Sequence, residues 1–136
     1  MRMINYIVIH CTATMPDAKV ESIRRYWKEV LGWNAPGYHH IIDAAGVITD
    51  LLPHEKASNG VGGWNTQLIN IAYIGGIDAE GKAKDTRTPQ QKNALKELIL
   101  KCKALYPHAK VQGHRDFPNV KKACPSFDAV REYEFL

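Results

Sequence analysis

From Thr88 onward the sequence commits to a helix more firmly than anywhere else in the chain. Thr88 offers an N-cap hydroxyl, Pro89 suits the first helical position, and Gln91 completes a capping box. Ala94, Leu95, Leu98, Ile99, Cys102 and Leu105 then recur at three- and four-residue spacing. Such a one-sided apolar stripe has to be covered by a second layer.

Short β-rich runs supply that layer. Residues 4–10 alternate Ile4, Tyr6 and Val8 with Asn5, Ile7 and Ile9 and read as a strand ending at His10. After the Pro16-Asp17 turn, Val20, Ile23, Trp27 and Val30 or Leu31 follow a helical period that Gly32 stops. Residues 39–43 and 47–51 flank Ala44-Ala45-Gly46 as a hairpin, and 69–74 reads as a strand closed by Gly75-Gly76. A last strand at 110–113 delivers His114, and residues 128–135 read as a closing helix. Residues 53–66, with Pro53, Gly60, Gly62 and Gly63, show no period and read as a surface loop able to wall a cleft. The expectation is an α/β fold in a single domain over residues 1–136, with a mixed central sheet of about five strands flanked by helices.

Composition narrows the function classes. With 136 residues, 45% of them hydrophobic, the chain can bury one sizeable core. No apolar run approaches the length of a membrane span or a signal-peptide core, so synthesis in the cytoplasm without a membrane anchor is expected. Cys11, Cys102 and Cys124 are odd in number and widely spaced, which argues against a disulfide framework and leaves a thiol for a metal or for nucleophilic work. The net charge of +4 comes wholly from residues 69–136, which carry twelve basic and eight acidic side chains. That bias suits an anionic partner or merely a solubilising surface; no stacking or major-groove motif accompanies it, so nucleic acid is not expected as a partner.

A catalytic zinc site needs three protein ligands and one open position, and His10, His114 and Cys124 supply a suitable set. His10 and His114 both stand at strand ends, which gather at a crevice in open α/β sheets. On spacing alone the triad is one combination among many, since the chain has six histidines and three cysteines. Cys11 follows His10 on a strand and faces the opposite side, so it belongs to the core, as does Cys102. Structural or solvated roles are expected for His39, His40, His54 and His108.

Five segments carry a resemblance. They are residues 7–14 (Ile-Val-Ile-His-Cys-Thr-Ala-Thr), Gly37-Tyr38-His39 with Ile41-Ile42, residues 75–78 (Gly-Gly-Ile-Asp), residues 113–116 (Gly-His-Arg-Asp), and residues 122–128 (Lys-Ala-Cys-Pro-Ser-Phe-Asp). In this order, and running nearly end to end, the chain resembles the N-acetylmuramoyl-L-alanine amidases, a family that includes short phage endolysins and the peptidoglycan recognition proteins. The resemblance implies that His10, His114 and Cys124 hold Zn2+, that Tyr38 and Lys122 act beside it, and that peptidoglycan, as a muramyl peptide, is the substrate of a monomeric enzyme. Two neutral imidazoles and one thiolate leave a zinc site with a charge of about +1, enough to polarise a carbonyl and acidify water. Lys122, two residues before Cys124, is suited to stabilising an oxyanion, its plain alternative being an exposed surface lysine. Tyr38 can orient water or assist proton transfer, its alternative being a strand-edge packing residue.

One segment departs from the family pattern. Many members carry a histidine five residues before an asparagine, followed by Ser-Ile-Gly; here Gly60 precedes Asn65, and Leu68-Ile69-Asn70 takes the second position. Trp64 and Asn65 remain candidates to line a groove, with ordinary packing as the alternative for Trp64. Three competing functions stay open: a peptidoglycan-binding module without catalysis, a cysteine hydrolase using Cys124 with His114 as base, and a nucleic-acid binder. The recognition-only members of the family usually lack the cysteine ligand, so Cys124 weighs against the first.

Overall fold

The computed structural model describes residues 2–136. Five strands form a single sheet: β1 (Tyr6–Cys11), β2 (His40–Ile42), β3 (Ile48–Asp50), β4 (Leu68–Tyr73) and β5 (Lys110–Gly113), in the order β3-β2-β4-β1-β5. β2, β4, β1 and β5 run parallel, and β3 is added antiparallel through the hairpin at Ala44-Ala45-Gly46. The expected α/β architecture with a mixed five-stranded sheet is therefore present.

Both faces of the sheet are covered, so the central strands are apolar almost throughout. All six residues of β4 are buried. On one face Ile7, Ile9 and Cys11 of β1 and Ile69, Ile71 and Tyr73 of β4 meet Ala94, Leu95, Leu98, Ile99 and Cys102 of α2 (Pro89–Leu105). On the other, Ile41, Ala72 and Ile74 meet Ile23 and Trp27 of the first helical segment, α1 (Val20–Arg25), and its continuation Tyr26–Val30. Cys11 and Cys102 are core residues, as expected.

The capping box at Thr88 forms in full: the Gln91 amide donates to Thr88 Oγ1 at 3.1 Å and Thr88 N donates to Gln91 Oε1 at 2.9 Å. Gln91 does more than cap. It is fully buried, and its Nε2 donates to the carbonyls of Ile42 and Ile74, which ties the helix start to the ends of two strands.

Three local expectations need correction. α1 loosens after Arg25 into wider turns, with Leu31 N donating to Tyr26 O, and this turns Val30 (67% exposed) away from the core. Leu105 is 64% exposed because the helix ends there and Tyr106 and Ala109 close the core instead. The closing helix α3 is only Ala129–Glu132, capped by Asp128.

What holds α3 is an ion cluster invisible to periodicity. Arg87, with its side chain 1% exposed, donates to both carboxylate oxygens of Asp85 and of Glu132 and to Tyr133 Oη, while its guanidinium lies 3.4 Å from the Phe127 ring centroid. Removing a buried partner strands the remaining charges, so Arg87→Met is expected to lower unfolding stability by about 3 kcal/mol, the low end of the usual range because Glu132 is partly exposed. Urea melts check this; an unchanged midpoint would reduce the cluster to a surface feature.

Candidate metal centre

The parallel register brings the two strand-end histidines together. β1 pairs with β5 so that Ile9 stands opposite Gly113; His10, the last but one residue of β1, and His114, which follows the end of β5, therefore stand side by side at the carboxyl ends of adjacent strands. Their ring centroids are 4.9 Å apart. Cys124 arrives on the loop after β5, pinned by Arg115 N donating to Cys124 O at 2.9 Å and by Tyr73 Oη donating to Pro125 O at 2.6 Å. Gly113 permits this approach: a Cβ there would lie 2.6 Å from Pro125 Cδ.

One ligand atom each from His10, His114 and Cys124 falls within 4.8 Å of the others, and His10 Nδ1 lies 3.9 Å from Cys124 Sγ. Tetrahedral zinc with bonds of about 2.0–2.3 Å spaces its ligand atoms roughly 3.5 Å apart, so this set of two imidazole nitrogens and one sulfur fits zinc with little adjustment.

The electrostatics suit ligation. Burial, then the charges of His114 and Lys122, lower His10 to about 3, and burial with Lys122 also lowers His114, so both imidazoles are neutral near pH 7. The hydrogen bond to the Cys11 sulfur, followed by burial, raises the Cys124 thiol, so the thiolate needs a cation to form. Cys11 N donates to Cys124 Sγ at 3.2 Å, a contact that accommodates charge on sulfur once a cation is there. Cys11 is thus a core residue whose sulfur and main chain both reach the ligand loop.

Tyr38 and Lys122 flank this cluster. The Tyr38 ring packs 5.0 Å from His10 and 5.3 Å from Trp27, and its hydroxyl donates to Cys11 O at 3.3 Å. Burial raises its phenol well above the ordinary value, so it stays a proton donor. Lys122 is exposed, and its charge is felt at His10, His114 and Cys124. A cleft of about 540 Å³ lined by Thr14, Ile23, Tyr26, Trp27 and Tyr38 opens on the Tyr38 side of the cluster.

The other histidines lie elsewhere. His40 Nδ1 meets Asp50 at 2.6 Å, His40 and His54 share a 2.7 Å contact, and His54 Nδ1 meets Tyr106 Oη at 2.9 Å. His108 is exposed. In the 53–66 loop Trp64 packs edge-on against Tyr6 and Phe117, the packing role weighed for it, and Asn65 turns its oxygen inward to accept the Gly60 and Val61 amides. The loop is also less superficial than its composition implies, since Ser58 and Val61 are buried.

A family model described as N-acetylmuramoyl-L-alanine amidase matches residues 1–127. The chain belongs to this amidase family. It is similar to the endolysin of Klebsiella phage KP32, at 37% identity over 130 residues that cover 94% of this chain and 84% of that protein. The endolysin of Escherichia phage T7 is 35% identical, with the same coverage of 94% and 84%. Among solved structures, the Ph2119 endolysin from the Thermus scotoductus MAT2119 bacteriophage superposes with a TM-score of 0.79 at 30% identity, covering 92% of this chain and 79% of that one. The amidase family, the fold and the His-His-Cys cluster thus agree.

Sequence reasoning missed Asn70. It is the single amide in an otherwise apolar buried strand, and its Oδ1 lies 2.8 Å from His10 Nε2. A polar residue inside such a run was the available signal.

Proposed function

We propose that this chain is a zinc-dependent N-acetylmuramoyl-L-alanine amidase, an endolysin of phage or prophage origin that acts as a monomer on peptidoglycan after release from the cytoplasm where it is made. The observation that carries this reading is the convergence of ligand atoms from His10, His114 and Cys124 within 4.8 Å at the carboxyl ends of adjacent parallel strands. When bound there, zinc lowers the pKa of water toward about 7 and polarises the scissile carbonyl.

The chain's own residues do the rest. The cleft bounded by Trp27 and Tyr38 seats the muramyl peptide with its lactyl amide toward the histidine pair. Lys122 supplies a fixed ammonium for the negative charge that develops on the carbonyl oxygen and is absent in the ground state. Tyr38, held protonated, orients the attacking water and gives a hydrogen bond as the proton moves toward the leaving amine.

Tyr38→Phe deletes only the hydroxyl. It is expected to leave zinc content at about one per chain and to cut turnover about a hundredfold, the lower end of acid–base contributions. Steady-state assays on purified cell walls check this, and unchanged kinetics would assign Tyr38 to packing alone.

Chelation separates metal from thiol chemistry. Dialysis against a strong zinc chelator is expected to abolish wall lysis, and stoichiometric zinc is expected to restore it. A cysteine nucleophile at Cys124 would survive the chelator.

A further inference from the structure

The geometry points to Asn70 as a positioning residue that fixes the ring and tautomer of His10, with Gly60 as the partner that makes room for it. This rests on the zinc reading above.

His10 offers Nδ1 toward Cys124 and must therefore carry its proton on Nε2, which donates to Asn70 Oδ1 at 2.8 Å. Asn70 Nδ2 in turn donates to Ser58 Oγ at 2.7 Å. The Ser58 hydroxyl donates to His39 Nδ1 at 3.3 Å, which also accepts the Asn70 backbone amide at 3.0 Å. His39 Nε2 completes the chain by donating to Lys56 O at 2.7 Å. With that tautomer every link donates the same way, from His10 Nε2 through Asn70 Nδ2, Ser58 Oγ and His39 Nε2 to Lys56 O, so the orientation of the Asn70 amide and the tautomer of His10 are set together. His10, His39, Ser58 and Asn70 are all 1% exposed or less, so bulk water does not compete for these hydrogen bonds.

Gly60 is what lets the amide stand there. A Cβ at this position would overlap Cγ and Oδ1 of Asn70 and lie 2.5 Å from Nδ2. A side chain at 60 therefore collides with the same amide that holds His10. Gly60 and Asn70 thus act as a pair: the loop presents no side chain at 60, and the strand supplies a hydrogen-bond acceptor behind His10.

The test is zinc affinity by competition with a chromogenic chelator. Loss of an outer partner to a metal-bound histidine usually costs about ten- to a hundredfold. Asn70→Ala is expected to weaken zinc by that factor, whereas Asn70→Asp, which keeps an acceptor at the same place, is expected to bind at least as tightly as the wild type. Gly60→Ala is expected to weaken zinc like Asn70→Ala, yet to have no further effect in an Asn70→Gly background, a coupling that independent packing defects do not show. Nitrogen-15 spectra of the imidazoles give a second readout: the zinc-loaded wild type is expected to show His10 protonated on Nε2 in slow exchange, and Asn70→Ala to exchange fast. Unchanged zinc affinity in Asn70→Ala, or His10 protonated on Nδ1 in the wild type, would overturn the inference, and the second holds even if the variants fail to fold. Absence of zinc binding by the wild type would instead sink the proposed function.

Discussion

Cys124→Ser is expected to yield a folded protein that has lost zinc and wall lysis but still sediments with insoluble peptidoglycan. A serine hydroxyl stays protonated near neutral pH, so the variant trades a thiolate ligand for a weak neutral one. Zinc binding free energies of about 10–16 kcal/mol, spread over the ligands, give roughly a thousandfold loss of affinity for one thiolate. Some stability should go too. Cys124 lies in the same buried cluster as Leu95, Leu98 and Ile99, a closer tie to the α2 stripe than its place in a loop foretells. The cleft beside Tyr38 involves none of these contacts, which is why binding should persist. Zinc content, lysis and sedimentation measured on one preparation decide the matter. A serine variant retaining zinc and turnover would remove Cys124 from the ligand set, and His54 could not replace it, since its ring nitrogens meet His40 and Tyr106.

Lys122→Ala is expected to keep zinc and fold and to lower turnover by roughly two to three orders of magnitude, the usual cost of deleting one oxyanion stabiliser. The residue is exposed, so its contribution to stability is slight. Its charge is felt at His10, His114 and Cys124, which is the ground for expecting an effect on turnover. Lys122→Arg should recover part of the rate by retaining the charge with altered geometry. Near-normal turnover in the alanine variant would make Lys122 a surface charge and nothing more.

The parts of this molecule written in local pattern were legible in its sequence. The capping box at Thr88 and the stripe from Ala94 to Cys102 specify α2 by hydrogen-bond chemistry and period alone. His10 and His114 were legible as strand-end residues, and the parallel register explains why they meet. Cys124 was different: its loop has no period, and its place in the cluster came from the family resemblance, with the fold supplying the pins at Arg115 and Pro125. Arg87 and Asn70 escaped because their partners, Glu132 and His10, lie 45 and 60 residues away, and no local rule links them. The 53–66 loop looked superficial for the same reason, since Ser58 and Val61 are buried by contacts that only the folded chain creates.

The central claim concerns which bond is cut, and mass analysis of the soluble products from digested peptidoglycan tests it most directly. The account predicts free stem peptides beginning with L-alanine and glycan chains whose N-acetylmuramic acid carries an unsubstituted lactyl carboxylate. Products in which the peptide remains attached to muramic acid, with cleavage in the glycan or within the stem, would contradict it.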